Sequence, residues 1–228
     1  KMKNVVFYLP VNYPDKTSFF QLLKALDESG VGFVELGIPT MDAYMDGPLI
    51  KDALATVMTE GFTREDLIAV LSTIKSRFSF SVILMTYESG RQNYHLDRLS
   101  TELYDGILCV DAPIEKLPPK PVLLYPPDIT ENDLKAKLKV NKNFAYVISG
   151  EGKTGSFSSL SSAYKGTVHK IKCYSDIPAF VGFGLKGPTD IEAVIAGGAD
   201  GGVIGTEFLR RYQEDGMDGI KTYLSTFH

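Results

Sequence analysis

Eight short apolar runs, each followed by a helical or helix-sized segment, constrain the fold of this chain more than any other feature. Each run has the length of a buried β-strand. The runs cover Val5–Leu9, Phe33–Gly37, Ser81–Met85, Gly106–Val110, Val122–Tyr125, Phe144–Ile148, Ala179–Gly182 and Gly201–Gly205. Strands that alternate with helices predict a parallel α/β architecture.

Helix candidates lie between these runs, and most carry apolar residues at helical spacing. They cover Ser18–Glu28, Pro48–Met58, Arg64–Arg77, Asn93–Thr101, Glu131–Leu138, Ser158–Ile171, Pro188–Ala196 and Glu207–Thr226. A doubly wound sheet usually has fewer strands and a glycine-rich turn after the first one, whereas Pro10–Pro14 contains no glycine. The count and order predict a compact (β/α)₈ TIM barrel formed by residues 1–228 as a single domain.

Composition narrows the class of protein. The net charge of −4 argues against a nucleic-acid partner, which needs a basic surface. The sequence contains no apolar run long enough for a membrane span and no signal-peptide core. With only two cysteines, Cys109 and Cys173, we expect two buried thiols and a cytoplasmic location. Arg91 and Arg98 are expected on solvated faces.

Two carboxylates near the end of the second strand are the first candidates for chemistry. Glu35 is the only charge in the apolar run Val31–Pro39, where an ionised carboxylate is costly to bury. Asp46 follows eleven positions later, in Asp46-Gly47-Pro48. Two acids near one strand end can supply general acid/base catalysis. Asp46 could instead cap the helix that begins at Pro48.

Glycine-rich loops follow the late strands, where a barrel of this kind binds phosphate. The loop after the seventh strand contains Gly182 and Gly184, and the loop after the eighth contains Gly205 and Thr206. Glycines allow the backbone to approach an anion, and Thr206 would begin a helix whose N–H groups point outward. A third such loop, 149–155, follows the sixth strand. Glycines that only allow tight turns would give the same pattern in any single loop. Because three successive loops show it, a phosphate site is favoured.

The early segment resembles the signature of the tryptophan synthase α subunit family. Glu35-Leu36-Gly37-Ile38-Pro39 is followed, at the family's spacing, by Asp46-Gly47-Pro48. Later segments match the family in order, namely Leu84-Met85, Val110-Asp111-Ala112-Pro113, Tyr146-Val147-Ile148-Ser149, Thr154-Gly155, Gly182-Phe183-Gly184 and Gly205-Thr206. The resemblance therefore extends over essentially the whole chain.

The resemblance implies a lyase of tryptophan biosynthesis that cleaves indole-3-glycerol phosphate into indole and glyceraldehyde 3-phosphate. It implies that Glu35 is the general acid/base and that Asp46 binds the indole nitrogen. Tyr146 would form a pocket wall, although it could also be ordinary core, and Thr154 would meet Asp46 when a loop closes. The implied phosphate cradle consists of Gly155, Gly184, Gly205 and Thr206, with Gly182 in the same motif.

The resemblance also implies a partner, a pyridoxal-phosphate β subunit in an α₂β₂ complex, while the α subunit itself needs no metal or cofactor. Asp42 would lie in the loop that faces this partner. Several features depart from the family pattern. The N-terminal helix is expected to be missing, Thr40-Met41-Asp42-Ala43 replaces Phe-Ser-Asp-Pro, and Gly150-Glu151 replaces an arginine and a small residue. Thr86 stands where a pocket tyrosine is usual, with Tyr87 displaced by one.

Three other functions stay open from the sequence. The chain could be a stand-alone lyase that releases free indole. It could be another phosphate-binding barrel enzyme, such as a prenyl transferase or a sugar-phosphate isomerase, although these have no reason for Glu35 and Asp46 at this spacing. It could also be a non-catalytic phosphate-binding subunit that regulates a partner.

Overall fold

All eight predicted strands are present. The computed structural model describes residues 2–150 and 162–228. The strands cover Val5–Pro10 (β1), Phe33–Gly37 (β2), Ser81–Thr86 (β3), Gly106–Cys109 (β4), Leu124–Tyr125 (β5), Ala145–Ile148 (β6), Ala179–Gly182 (β7) and Gly201–Ile204 (β8). Their bounds agree with the sequence to within two residues, and β5 is the one most shortened.

The strands form one parallel sheet that curls into the predicted (β/α)₈ barrel. Its order is β4-β3-β2-β1-β8-β7-β6-β5, so β4 and β5 lie at the two ends. An isolated parallel bridge between Ile107 and Pro121 joins these ends. There the Ile107 N–H donates to the Lys120 carbonyl at 3.1 Å, and the Val122 N–H donates to the Ile107 carbonyl at 3.0 Å. A short stretch just before β5 therefore closes the barrel.

Most helices also follow the prediction. They cover Lys16–Glu28 (α1), Pro48–Thr59 (α2), Arg64–Arg77 (α3), Glu88–Asn93 (α4), Glu131–Val140 (α5), Tyr164–Tyr174 (α6), Pro188–Ala196 (α7) and Thr206–Ser225 (α8). The helix predicted at 93–101 is wrong. In its place, α4 ends at Asn93 and a single 3-10 turn spans Leu96–Arg98. His95 between them has a φ of 48°, a left-handed conformation that interrupts any helix.

No helix follows β4, although the sequence shows a helix-sized segment there. Residues 111–120 form turns instead. Arg91 on α4 braces this connection, because its Nη1 donates to the Lys116 carbonyl at 2.8 Å. The prediction that Arg91 is solvated is therefore wrong, since its side chain is only 4% exposed. Two carboxylates neutralise it: Asp97 accepts from Nε and Nη2 at 2.8 Å, and Glu88 accepts from Nη1 at 2.7 Å.

Side-chain alternation along the strands creates two apolar regions. On β2, Val34 and Leu36 pack toward the helices in the larger cluster, whereas Phe33 packs inside the barrel. There Phe33 contacts Phe144 and Phe180 at ring-centroid distances of 5.2 and 6.1 Å. The aromatic rings close the barrel from inside, so a pocket can open only above them.

The prediction of two buried thiols is confirmed for one cysteine only, and no described helix is suited to span a membrane. Cys109 is buried as expected, but Cys173 is exposed on α6, which corrects the expectation of two buried thiols. Within residues 2–150 and 162–228, every helix is too short or too polar to cross a lipid bilayer.

We expect Arg91→Ala to lower the free energy of unfolding by about 1–3 kcal/mol, because it removes charged hydrogen bonds and the brace on the helix-free connection. Urea unfolding measures this change. Arg98→Ala is the matched control, since Arg98 is exposed in the same region and its loss should cost about 0.5 kcal/mol or less. Equal losses for the two variants would contradict the bracing role.

Candidate active site

One pocket opens at the carboxyl ends of the strands, the end where barrel enzymes of this architecture place their chemistry. Its cavity volume is about 220 Å³. Side chains and loops from β1, β2, β3, β6, β7 and β8 surround it, namely Tyr8, Glu35, Asp46, Ile50, Met85, Tyr146, Phe183, Gly184, Leu185, Lys186, Val203, Gly205, Thr206, Glu207 and Arg210.

Glu35 lies on the inner side of the barrel in β2. It follows Phe33 on the same face, because side chains two apart in a strand point the same way. The carboxyl group is fully buried, and neither oxygen has a hydrogen-bond partner in the described residues. Burial raises the pKa of the Glu35 carboxyl to about 8. At neutral pH the group therefore holds a proton that it can donate.

Asp46 reaches the same pocket from the loop between β2 and α2. The residue that caps α2 is Gly47, and this cap makes no side-chain hydrogen bond. The alternative role of Asp46 as a helix cap is therefore not supported. Its Oδ2 instead accepts a hydrogen bond from the Tyr87 hydroxyl at 2.6 Å. Asp46 is 8% exposed, so this carboxylate is largely shielded from solvent but open to the pocket.

Tyr146 of β6 forms one wall of the pocket and is also packed in the barrel interior. Its ring lies 5.6 Å from that of Phe183, measured between centroids. Gly182 does not line the pocket but makes room for this wall. A Cβ atom added at Gly182 would lie 2.2 Å from the Tyr146 hydroxyl oxygen, so any larger residue would displace the tyrosine.

The opposite end of the pocket can accommodate an anion. Gly184, which has a φ of 84°, lies there with Gly205 and Thr206 at the start of α8. The Thr206 hydroxyl oxygen is buried and has no hydrogen-bond partner in the described residues. Lys186 and Arg210 add two cations to the same wall. Backbone N–H groups at a helix start, a hydroxyl and cations together suit a phosphate group.

A buried glutamate orients one of these cations. Glu207, 5% exposed, accepts hydrogen bonds from Arg210, with Nε at 2.9 Å, and from Arg211, with Nε at 3.1 Å. Arg210 also donates to Glu214 at 2.9 Å. Because two guanidinium groups share the Glu207 charge, this carboxylate repels an anion less than an unpaired one would.

The structure brings most of the predicted site residues together. Glu35, Asp46, Tyr146, Gly184, Gly205 and Thr206 all line the one pocket. Gly182 lies behind the Tyr146 wall, and Thr154 and Gly155 fall outside the described residues.

Sequence reasoning missed four residues near this site, Tyr8, Tyr87, Lys186 and Arg210. Strand alternation could have found Tyr8, which pairs with Glu35 across β1 and β2. Arg210 lies one helical turn after Thr206, a spacing that places both on one face of α8. The sequence marks Tyr87 only as one position away from the usual pocket tyrosine, and its contact with Asp46 depends on the path of the loop that carries Asp46.

The closed parallel barrel, with a buried acid and an end suited to an anion, defines the chain as a (β/α)₈-barrel enzyme. A family model described as "Tryptophan synthase alpha chain" matches residues 1–226. The chain belongs to this tryptophan synthase alpha chain family and is thus a lyase of tryptophan biosynthesis.

Individual relatives agree with the family model. A tryptophan synthase alpha chain of Synechococcus elongatus is 29% identical, over 94% of this chain and 86% of its own. One from Dehalococcoides mccartyi is 27% identical, over 98% and 93%. Among solved structures, a Mycobacterium tuberculosis tryptophan synthase superposes with a TM-score of 0.86 at 27% identity, covering 99% of this chain and 91% of that one.

The pKa of Glu35 predicts an unusual pH dependence of stability. Between pH 4.5 and about 8 the folded chain keeps a proton that the unfolded chain has lost, so the free energy of unfolding falls as pH rises. Glu35→Gln has no such proton. We therefore expect its stability relative to the native chain to grow by about 1.4 kcal/mol per pH unit between about pH 5 and 7. Urea unfolding at several pH values measures this difference, and parallel pH curves would contradict it.

Proposed function

We propose that this pocket cleaves indole-3-glycerol phosphate to indole and glyceraldehyde 3-phosphate, the α reaction of tryptophan synthase. The observation that carries the proposal is Glu35, a fully buried and protonated carboxyl group that faces the same cavity as Asp46. The lyase class follows from the family, whereas the roles of the individual residues are our proposal.

The reaction begins with a proton. The bond between indole C3 and the glycerol chain cannot break until C3 is protonated, because the unprotonated ring carbon is a poor leaving group. Glu35 donates this proton, since its raised pKa keeps it protonated at neutral pH. As the bond breaks, its electrons return to the ring, and the adjacent glycerol hydroxyl becomes a carbonyl. Glu35, now a carboxylate, accepts the hydroxyl proton and is restored.

Asp46 stabilises the charge that appears in between. Protonated C3 leaves a positive charge shared with the ring nitrogen, and a carboxylate that accepts the indole N–H offsets it. Tyr146 and the neighbouring apolar side chains provide the walls for the flat ring. The phosphate lies at the other end, at Gly184, Gly205 and Thr206, and Thr154 and Gly155 contribute from the loop after β6.

No step of this scheme needs a metal or an organic cofactor from this chain, and pyridoxal phosphate is expected only in the β partner. We also propose that residues 1–228 act as one domain in the cytoplasm. Both cysteines of the described residues are free thiols, as is usual in a reducing compartment.

We expect Glu35→Gln to abolish indole formation, a loss of about 100-fold or more, while substrate binding is largely kept, because the amide retains the shape but has no proton to donate. Asp46→Asn should lose less activity, since its amide oxygen still accepts the indole N–H. A spectrophotometric assay of indole release measures both. Substantial turnover by Glu35→Gln would rule out the acid/base role.

We expect Gly205→Val to weaken binding of glycerol phosphate by about tenfold, with free indole less affected. A Cβ at Gly205 meets only ordinary contacts, at 3.5 Å from Tyr8, so the variant should fold while its larger side chain enters the anion end. Calorimetric titration with each ligand measures the two affinities. Gly187→Val is the control, because a Cβ there contacts nothing within 4 Å. Loss of both ligands in Gly205→Val would instead indicate misfolding.

Two alternatives are weaker. A sugar-phosphate isomerase or prenyl transferase would use the anion end but gives no role to a protonated Glu35. A purely regulatory subunit would have no need of a buried carboxyl group without a hydrogen-bond partner, which destabilises the fold. A stand-alone lyase uses the same site, and it differs only in whether a partner binds.

The loop that carries Asp46 is our proposed docking surface for the β subunit. Four of the seven exposed large apolar side chains in the described residues lie here or beside it, namely Met41, Tyr44, Met45 and Ile114. The Tyr44 hydroxyl donates to Asp111 at 2.7 Å, which joins this loop to the one that carries Ile114. Exposed apolar side chains on and beside the loop that carries Asp46 suit a partner that receives indole directly. The second segment that the sequence suggests for docking, 150–155, lies outside the described residues except for Gly150.

We expect the double variant Met41→Ser and Met45→Ser to bind the cognate β subunit at least about tenfold more weakly and to lose the rise in turnover that binding causes, because apolar contact is lost. Calorimetry and the indole assay measure the two effects. Ile195→Ser is the matched control, since Ile195 is exposed on α7. If the native chain neither binds the β subunit nor gains activity from it at micromolar concentration, the stand-alone lyase is favoured.

A further inference from the structure

Tyr87 is a buried side chain that the mechanism above does not use. It precedes α4, directly after the strand that resembles the family's Leu-Met segment, and it is 5% exposed. It does not line the pocket. Thr86 occupies the position where the family usually has its pocket tyrosine, so in this chain the phenol ring lies behind the pocket wall.

The hydroxyl group of Tyr87 contacts two consecutive residues of the loop after β2. It accepts a hydrogen bond from the Met45 backbone N–H at 3.2 Å, and it donates to Asp46 Oδ2 at 2.6 Å. A phenol has a single proton, and the bond from Met45 occupies an acceptor position of its oxygen. The proton is therefore directed at Asp46, and the two bonds together fix both the backbone before Asp46 and the rotation of its carboxylate.

The ring that carries this hydroxyl is itself held from several sides. It packs against the ring of Tyr44 with centroids 5.2 Å apart. The next residue, Glu88, donates its backbone N–H to Asp111 at 2.7 Å, and Arg91 anchors the following turn. Because the Tyr87 ring is already fixed, little conformational entropy is lost when its hydroxyl forms this short hydrogen bond. The hydroxyl can therefore hold the Asp46 carboxylate firmly.

We propose that Tyr87 is the positioning residue of the site, whose hydroxyl holds the Asp46 carboxylate ionised and oriented toward the indole N–H. The inference rests on the role proposed for Asp46, and Tyr87 itself touches neither substrate nor the reacting atoms. A donor to the charged form of a carboxylate favours that form. Among the described residues, the titratable groups that line the cavity together with Asp46 are Tyr8, Glu35, Tyr146, Lys186, Glu207 and Arg210.

The test compares Tyr87→Phe with Tyr94→Phe in the full chain. Phenylalanine keeps the ring and removes only the hydroxyl. Tyr94 is a suitable control because it is also buried, follows the same helix and loses one hydrogen bond, to the Phe62 carbonyl at 3.2 Å. We expect Tyr87→Phe to lower kcat/KM for indole-3-glycerol phosphate about ten- to a hundredfold, mainly through kcat, and Tyr94→Phe to leave it within about twofold.

A second measurement does not depend on activity. Carbon NMR of protein labelled at the aspartate carboxyl follows the titration of Asp46, whose signal is assigned by its loss in Asp46→Asn. We expect the midpoint of this titration to rise by about one pH unit in Tyr87→Phe and to stay unchanged in Tyr94→Phe.

The two readouts separate the possible failures. An unchanged midpoint in a folded Tyr87→Phe overturns the inference, whatever the activity. Full activity of Tyr87→Phe overturns the positioning role while the proposed reaction stands. A native chain that releases no indole, together with a shifted midpoint, contradicts the proposed reaction but supports the hold of Tyr87 on Asp46.

Discussion

The burial of one carboxyl group inside the barrel is the constraint on which the site depends. Strand alternation puts Phe33 and Glu35 on the same face of β2, and the rings of Phe144 and Phe180 close the barrel around Phe33. Glu35 is left above an apolar floor without a hydrogen-bond partner in the described residues, which raises its pKa to about 8. The same packing that closes the barrel thus prepares the acid, at a cost to stability that the rest of the core must offset.

The strands were predictable because each is a short, nearly uninterrupted apolar run, a pattern that parallel sheets buried on both faces require. The helix after β3 was not. A helix was predicted at 93–101, whereas the actual helix, Glu88–Asn93, is polar and held by Arg91 through carboxylates rather than by an apolar stripe. A buried arginine has the same sequence signature as a solvated one, so only its tertiary partners reveal its role.

The site residues also fall into two groups, those that the sequence reveals and those that only the structure reveals. Glu35 was found as a lone charge in an apolar strand, Asp46 as a second acid near the same strand end, and the late glycines as loops after the last strands of a barrel. The resemblance to the family then gave these residues their roles, and none of these patterns requires knowledge of three-dimensional contacts. The structure adds three residues to which the sequence analysis gave no role, because several strands and α8 bring them to one cavity: Tyr8, Lys186 and Arg210. The role of Tyr87 is harder still to predict from sequence. It lies one residue after the usual pocket tyrosine, and this shift places its ring behind the pocket wall, where its hydroxyl contacts Asp46.

The two ends of the cavity differ in charge, and this difference favours one orientation of the proposed substrate. The floor holds a neutral acid among apolar walls, which accept a flat aromatic ring but not a dianion. The rim holds Lys186, Arg210 and the start of α8, which favour the phosphate. A substrate bound in the reverse direction would bury its phosphate beside Glu35 and Asp46. Lys186 and Arg210 would then have no contact with the phosphate. The charge distribution therefore supports the proposed orientation, in which indole C3 faces Glu35 and the phosphate lies at the rim.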